Sequence, residues 1–308
     1  MTSTDYKQLK NCRRIGLFDS GVGGLTVLDK LNRLSSDEDG NGATAREFVY
    51  LGDTARCPYG DRSPGEIVSF MSEIVSWLVS KNVDGIVVAC NTSASVALDS
   101  ARRQVAVPIF DLIAPTAEYV GKLGRKVGVM ATTATVKAKA FSKAIHQVNA
   151  NVDVVEIACP DLVPVIERGE AGLDSTSVLL EKYARTLSKE KVEVLVWGCT
   201  HFPFLSQSFS RVLEHQLVVI DPAKLLLNLE PGQDNIPAPD TLVDSKHSIY
   251  VTGDPFDFAR SAGICLGYSL DTVNGITVDE LSGPVSKSTN THLKKSETSD
   301  NIPIVPAI

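Results

Sequence analysis

DGIVVACNT, residues 84–92, reads as a buried strand that stops at a cysteine. The apolar run from Val83 to Cys90 is short, β-branched and bounded by polar residues, which suits a strand covered on both faces. A second stretch, VEVLVWGCTH at residues 192–201, repeats the pattern and again stops at a cysteine, Cys199. Working outward, Ile15 to Phe18, Phe48 to Leu51, Val107 to Phe110, Lys126 to Met130, Val152 to Ile157, Val192 to Trp197 and Leu217 to Ile220 read as further buried strands. Amphipathic stretches separate them. From Glu66 to Lys81, Ile67, Phe70, Met71, Ile74, Trp77 and Leu78 recur at helical spacing. This alternation predicts an α/β fold with mostly parallel sheets.

The two cysteine strands belong to a weak internal repeat. Cys90 and Cys199, Asp111 and Asp221, and Gly16 and Gly128 share an offset of about 110 residues. The expected architecture is therefore two pseudo-symmetric lobes with an active-site cleft between them. Residues 13–113 with 223–270 form the first lobe and 114–222 the second. Residues 1–12 and 285–308 are expected to be poorly ordered, the latter because VSKSTNTHLKKSETSDNIPIVPAI is dominated by polar residues. The Pro/Gly-rich stretch 230–246 reads as a long loop, and 37–45 as an exposed turn.

Composition narrows the function classes. The 308 residues are 43% hydrophobic and 22% charged, ordinary for a globular chain with its own core. A formal charge of −7 speaks against a general nucleic-acid or anionic-membrane binder. It also requires that any anionic substrate be held by local dipoles. No signal-peptide-like or membrane-spanning run is visible, so a reducing cytoplasm and free thiols are expected for the six cysteines. There is no C-x-x-C pair and no ligand-spaced His/Cys cluster, so no metal is expected.

Four motifs can carry chemistry. Asp19-Ser20-Gly21-Val22-Gly23-Gly24 follows the first strand, where glycines let a ligand approach the backbone and the next helix offers N–H groups. It is neither G-x-G-x-x-G nor a P-loop, so a carboxylate is the expected anion, and a plain tight turn is the equal alternative. Asp53 to Gly60 (DTARCPYG) carries turn chemistry at Pro58-Tyr59-Gly60 and by itself reads more readily as a surface loop. Cys90-Asn91-Thr92 and Cys199-Thr200-His201 each end a strand and lead into a helix, which is expected to lower the thiol pKa. One such cysteine alone is an ordinary core residue. Two at equivalent places of a repeat suit a two-base proton exchange, in which one thiolate takes a Cα proton and the opposite thiol returns one. A Cys-His hydrolase built on Cys199 and His201 is the rival chemistry, and it leaves Cys90 without a role.

Over Arg13 to Gly267 the chain resembles glutamate racemase. The segments that carry the resemblance are DSGVGGLTV (Asp19 to Val27), Asp53 to Gly60, ACNT (Ala89 to Thr92), CPDLVPVIE (Cys159 to Glu167), GCTHFP (Gly198 to Pro203) and IDPA (Ile220 to Ala223). Departures are small: Ser93 and Phe202 stand where Ala and Tyr are usual. The resemblance implies cofactor-independent interconversion of L- and D-glutamate, supplying D-glutamate for peptidoglycan, by a cytoplasmic homodimer that takes a small-molecule substrate. It implies that Cys90 works on the D enantiomer and Cys199 on the L, assisted by Asp19, Glu167 and His201, with Asp53 a weaker candidate. It implies substrate contacts at Asp19, Ser20, Tyr59, Gly60, Asn91, Thr92, Thr200 and His201. A binding or regulatory protein on the same scaffold is the non-enzyme alternative, and it would need neither thiol.

Overall fold

Among the described residues every strand pairing is parallel, and the strands fall into two sheets. The computed structural model describes residues 8–37, 46–213, 216–227, 247–270 and 272–283. The strands are β1 (Arg14–Asp19), β2 (Glu47–Gly52), β3 (Gly85–Val88), β4 (Ile109–Asp111), β5 (Val127–Ala131), β6 (Val154–Ala158), β7 (Val194–Trp197), β8 (Val218–Ile220), β9 (Ser248–Val251) and β10 (Asn274–Gly275). The first sheet has the order β10-β9-β2-β1-β3-β4 and the second β6-β5-β7-β8. The order β2-β1-β3-β4 thus maps directly onto β6-β5-β7-β8, which is the architecture expected of a duplicated α/β unit.

Register carries the chemistry to one end of each sheet. Asp19 pairs with Gly52 at the C-terminal ends of β1 and β2. Phe18 pairs with Val88, so β3 ends just before Cys90. Met130 pairs with Trp197, so β7 ends just before Cys199. Central strands β1, β3, β5 and β7 are Val/Ile/Leu-rich and almost wholly buried, because helices cover both faces of each sheet. The helix Pro64–Ser80 shows how local sequence fixes an element. Ser63 accepts from the Glu66 N–H while the Glu66 carboxylate accepts from the Ser63 N–H, with Pro64 in the first turn. Its buried face is Ile67, Met71, Ile74, Val75, Trp77 and Leu78. Apolar packing continues between the lobes on both sides, for example joining Leu17 and Val87 to Leu195 and Trp197.

Three expectations need correction. β9 and β10 lie outside the runs expected to be strands: SIYV follows a Pro/Gly-rich stretch, and Asn-Gly carries turn chemistry. The first lobe consequently extends past residue 270, with Val273, Ile276 and Leu281 buried and a capped helix at Val278–Ser282. The N-terminal segment is ordered sooner than expected, because residues 8–11 are helical and Leu9 and Cys12 are buried. Residues 1–7, 38–45, 230–246 and 285–308, expected as termini, turn and loop, lie outside the described residues.

Candidate active site

The C-terminal ends of both sheets meet at one small cavity, where α/β sheets place their ligands. It is lined by Ser20, Tyr59, Gly60 and Thr92 from the first lobe and by Thr132, Cys159, Val163, Cys199, Thr200 and His201 from the second. Asp19, Asn91, Glu167 and Cys90 stand behind that lining rather than in it. The Cys90 thiol donates to Ser20 Oγ at 3.9 Å. Asp53 does not line it either.

Cys199 sits in a relay of side chains. Its Sγ is 3.7 Å from His201 Nδ1, and His201 Nε2 is 2.6 Å from Glu167 Oε1. Burial pushes the His201 pKa down, but bonding to Cys199 and Glu167 outweighs it, so the imidazole is held well above its ordinary range. His201 can therefore hold a proton that Cys199 gives up. Asp19 is fully buried; burial pushes its carboxyl pKa up, while His201, the Gly21 N–H and the Thr200 hydroxyl pull it back. Thr200 Oγ donates to Asp19 Oδ2 at 2.8 Å, joining the lobes.

The cysteines differ from expectation. A helix N-terminus does not lower Cys90. Burial first, then the Asp19 charge, pushes this thiol up to about 11, and Cys199 adds to the rise. Partial charges at a helix end are a small effect beside complete desolvation and a nearby carboxylate. Nor does Cys199 lead into an α-helix: a turn and the 3₁₀ segment Phe202–Leu205 follow it. The glycine loop also differs. Its N–H groups meet the protein's own carboxylates: Gly21 N–H donates to Asp19 Oδ1 and Val22 N–H to Glu167 Oε1, both at 2.9 Å.

The Asp53–Gly60 loop supplies a wall. Tyr59 is buried, and its hydroxyl donates to Asp53, away from the cavity. Arg56 Nε donates to Asp53 Oδ2 at 2.6 Å and Arg56 Nη1 to Glu73 Oε2 at 2.5 Å, while its Nη2 has no hydrogen-bond partner among the described residues and the side chain does not line the cavity. Among the described residues, both amide atoms of buried Asn91 lack a partner, the mark of a group waiting for a polar ligand. Of the other lining residues, Pro58, Cys159, Pro160 and Val163 lie in motifs quoted from sequence but were given no role in the site, and Asp61 and Thr132 lie in none of those motifs. Thr132 shares a 2.9 Å hydrogen bond with Thr92 across the lobes. A search of every strand's C-terminal end would have found Thr132 and Cys159, which follow β5 and β6 directly. No group of three or more His, Cys, Asp or Glu among the described residues could hold a metal ion.

Comparison with known proteins is consistent across sequence and structure. The family model described as Asp/Glu/hydantoin racemase matches residues 15–229. The chain is 36% identical over 263 residues to the glutamate racemase of Gloeothece citriformis, covering 84% of this chain and 92% of that one. It is 38% identical over 269 residues to that of Trichodesmium erythraeum, covering 84% and 93%. The structure of Francisella tularensis glutamate racemase in complex with D-glutamate superposes with a TM-score of 0.73 at 28% identity, covering 87% of this chain and 98% of that one. That of Thermus thermophilus glutamate racemase in complex with β-chloro-D-alanine gives 0.69 at 32% identity, covering 87% and 98%.

Proposed function

The chain belongs to the Asp/Glu/hydantoin racemase family, and from that premise we propose that it interconverts L- and D-glutamate without a cofactor, using Cys90 and Cys199 as opposed acid and base. The observation that carries this reading is the pair of buried thiols at equivalent strand ends of two sheets that share a four-strand order. From L-glutamate, the Cys199 thiolate takes the Cα proton on one face while His201, bonded to Glu167, holds the thiol's own proton. The Cys90 thiol, kept protonated by burial and by Asp19, gives its proton to the opposite face. D-Glutamate leaves, with Cys90 now a thiolate and Cys199 a thiol, and exchange with solvent resets both. The reverse reaction exchanges the roles. The hydroxyls of Ser20, Thr92, Thr132 and Thr200 in the lining, with the unpartnered Asn91 amide behind it, are the groups available to bind the substrate's polar ends, since Arg56 does not line the cavity.

The cavity encloses about 20 Å³, which is room for about one water, so the reading requires the lobes to part for glutamate to enter. The further expectations are a cytoplasmic homodimer and a supply of D-glutamate to peptidoglycan. The Cys199–His201–Glu167 line would also serve a thiol hydrolase, and one substitution separates the two. Cys90→Ser and Cys199→Ser should each lower racemisation, followed by circular dichroism of glutamate, by at least about a thousandfold, because a hydroxyl is far too weak an acid for the role. A hydrolase would survive loss of Cys90. Near-normal racemisation by either variant would overturn the two-thiol reading.

A further inference from the structure

The loop glycines have a purpose that ligand binding does not explain. Glu167 closes the helix Leu162–Glu167 in the second lobe, and its carboxylate reaches into the first lobe. There Oε1 accepts from Val22 N–H at 2.9 Å and meets His201 Nε2 at 2.6 Å. The carboxylate occupies the space a side chain on Gly21 would take. A Cβ at Gly21 would overlap Glu167 Oε1 and stand 2.8 Å from Glu167 Cδ and 3.1 Å from His201 Nε2. Two loop positions on, a Cβ at Gly23 would overlap His201 Nδ1 and lie 2.6 Å from Thr200 Oγ. Neither glycine has a positive φ, so backbone conformation does not demand glycine at either place. The demand comes from the opposite lobe.

We propose that Gly21 is a positioning residue for the Cys199 half-reaction, keeping open the space between the lobes in which the Glu167 carboxylate holds its second-lobe neighbour His201 against Cys199. This rests on the racemase reading above and deepens it. The first lobe, which carries Cys90, shapes the relay that serves the thiol of the second. Fully closed lobes are therefore a condition for an assembled relay, since the Val22 N–H that fixes Glu167 comes from the first lobe.

Gly21→Ala is a clean probe, because what it meets first is the far end of a flexible side chain rather than backbone. The carboxylate should swing away, and the fold should stand. The two enantiomers have equal free energy, so kcat/KM must fall equally in both directions and cannot locate the damage. Isotope exchange can. In deuterium oxide, label should enter L-glutamate about ten- to a hundredfold more slowly than in the wild type, the loss expected of one hydrogen bond to a charged group. Entry of label into D-glutamate without inversion, which Cys90 catalyses, should persist. The decisive comparison is a double-mutant cycle with Glu167→Ala. In that background no carboxylate remains to be displaced, and Gly21→Ala should cost nothing further. An equal cost in both backgrounds, or equal loss of both exchange reactions, would overturn the proposal. The His201 titration read by NMR gives a test that needs no substrate. Its apparent pKa should fall in Gly21→Ala as it does in Glu167→Ala, and an unshifted titration would count against the proposal. A wild-type protein that neither racemises nor exchanges glutamate would instead defeat the racemase reading, and the NMR arm would still judge Gly21.

Discussion

Cys90 is a thiol held against ionisation, and its environment makes a measurable statement about its reactivity. It is buried, and Asp19 stands near enough for the carboxylate to oppose a thiolate, which together raise its pKa to about 11. The reactive species in alkylation is the thiolate. Below the pKa its fraction grows about tenfold per pH unit, so labelling of the Cys90 peptide by iodoacetamide should still be climbing at pH 10. Asp19→Asn removes a negative charge beside the sulfur, and the sign is then fixed: the thiolate is opposed less, the pKa falls, and the labelling curve moves to lower pH. Mass spectrometry of the Cys90 peptide across pH, in both proteins, measures this directly. A curve that stays put or moves upward would show that Asp19 does not set the thiol's state. Burial also pushes up Cys159, which lines the cavity, and Cys57, which does not.

Among the elements, the loop from Asp53 to Gly60 shows how a wall of the site is fixed. Asp53 is fully buried and accepts from the Tyr59 hydroxyl, from Arg56 Nε at 2.6 Å and from Thr252 Oγ at 2.7 Å. Arg56 also binds Glu73 on the helix Pro64–Ser80 and lies 4.1 Å from the centre of the Phe70 ring. Arg56→Met keeps much of the stem but leaves Asp53 buried without its cation. Breaking a buried pair this way costs about 3–5 kcal/mol; since Glu73 is partly exposed and its bond to Arg56 is worth less, we expect about 2–4 kcal/mol in urea unfolding. Stability unchanged within about 0.5 kcal/mol would mean that the loop is held by its packing alone. The loop also shows where sequence reading reaches its end. β1, β3, β5 and β7 were legible because both faces are buried and each strand is a continuous apolar run. β10 was not, because two residues of turn chemistry carry no periodicity. The two cysteines were legible as a repeated strand end. Glu167 came only through family resemblance, because ERGEAG has no local pattern and the carboxylate matters only once a loop more than a hundred residues upstream folds against it. The thiol shift at Cys90 was misjudged because burial depth is a tertiary property.

The whole molecule joins its halves by polar links at the cleft and by apolar packing behind it. Thr200 to Asp19, Glu167 to Val22 and Lys30 to Asp221 all run between segments of different sheets or their flanking helices. The polar links can be broken and remade in water at modest cost, whereas the shared core cannot, and this division suits a cleft that must open while its hinge stays packed. The first sheet, however, is completed only at the end of the described chain. β10 pairs with β9 through Asn274 to Tyr250 and Gly275 to Val251. Val273, Ile276 and Leu281 are buried there, and the helix Val278–Ser282 packs against Pro64–Ser80. Burying a large aliphatic side chain contributes about 1.5–3 kcal/mol, so these three together rival the net stability of about 5–15 kcal/mol typical of a domain. Residues 284–308, by contrast, are dominated by Ser, Thr, Lys and Asn and offer little to bury. Two truncations therefore should behave oppositely. A chain ending at Gly283 should racemise glutamate and melt like the full protein. A chain ending at residue 271 should lose cooperative thermal unfolding, because β9, still paired with β2, is left with its outer edge open and the helix Pro64–Ser80 loses its cover. Matching melting curves for the two truncations would show that β10 is dispensable, and failure of the longer one to fold would show that the polar tail is a structural part of the first lobe.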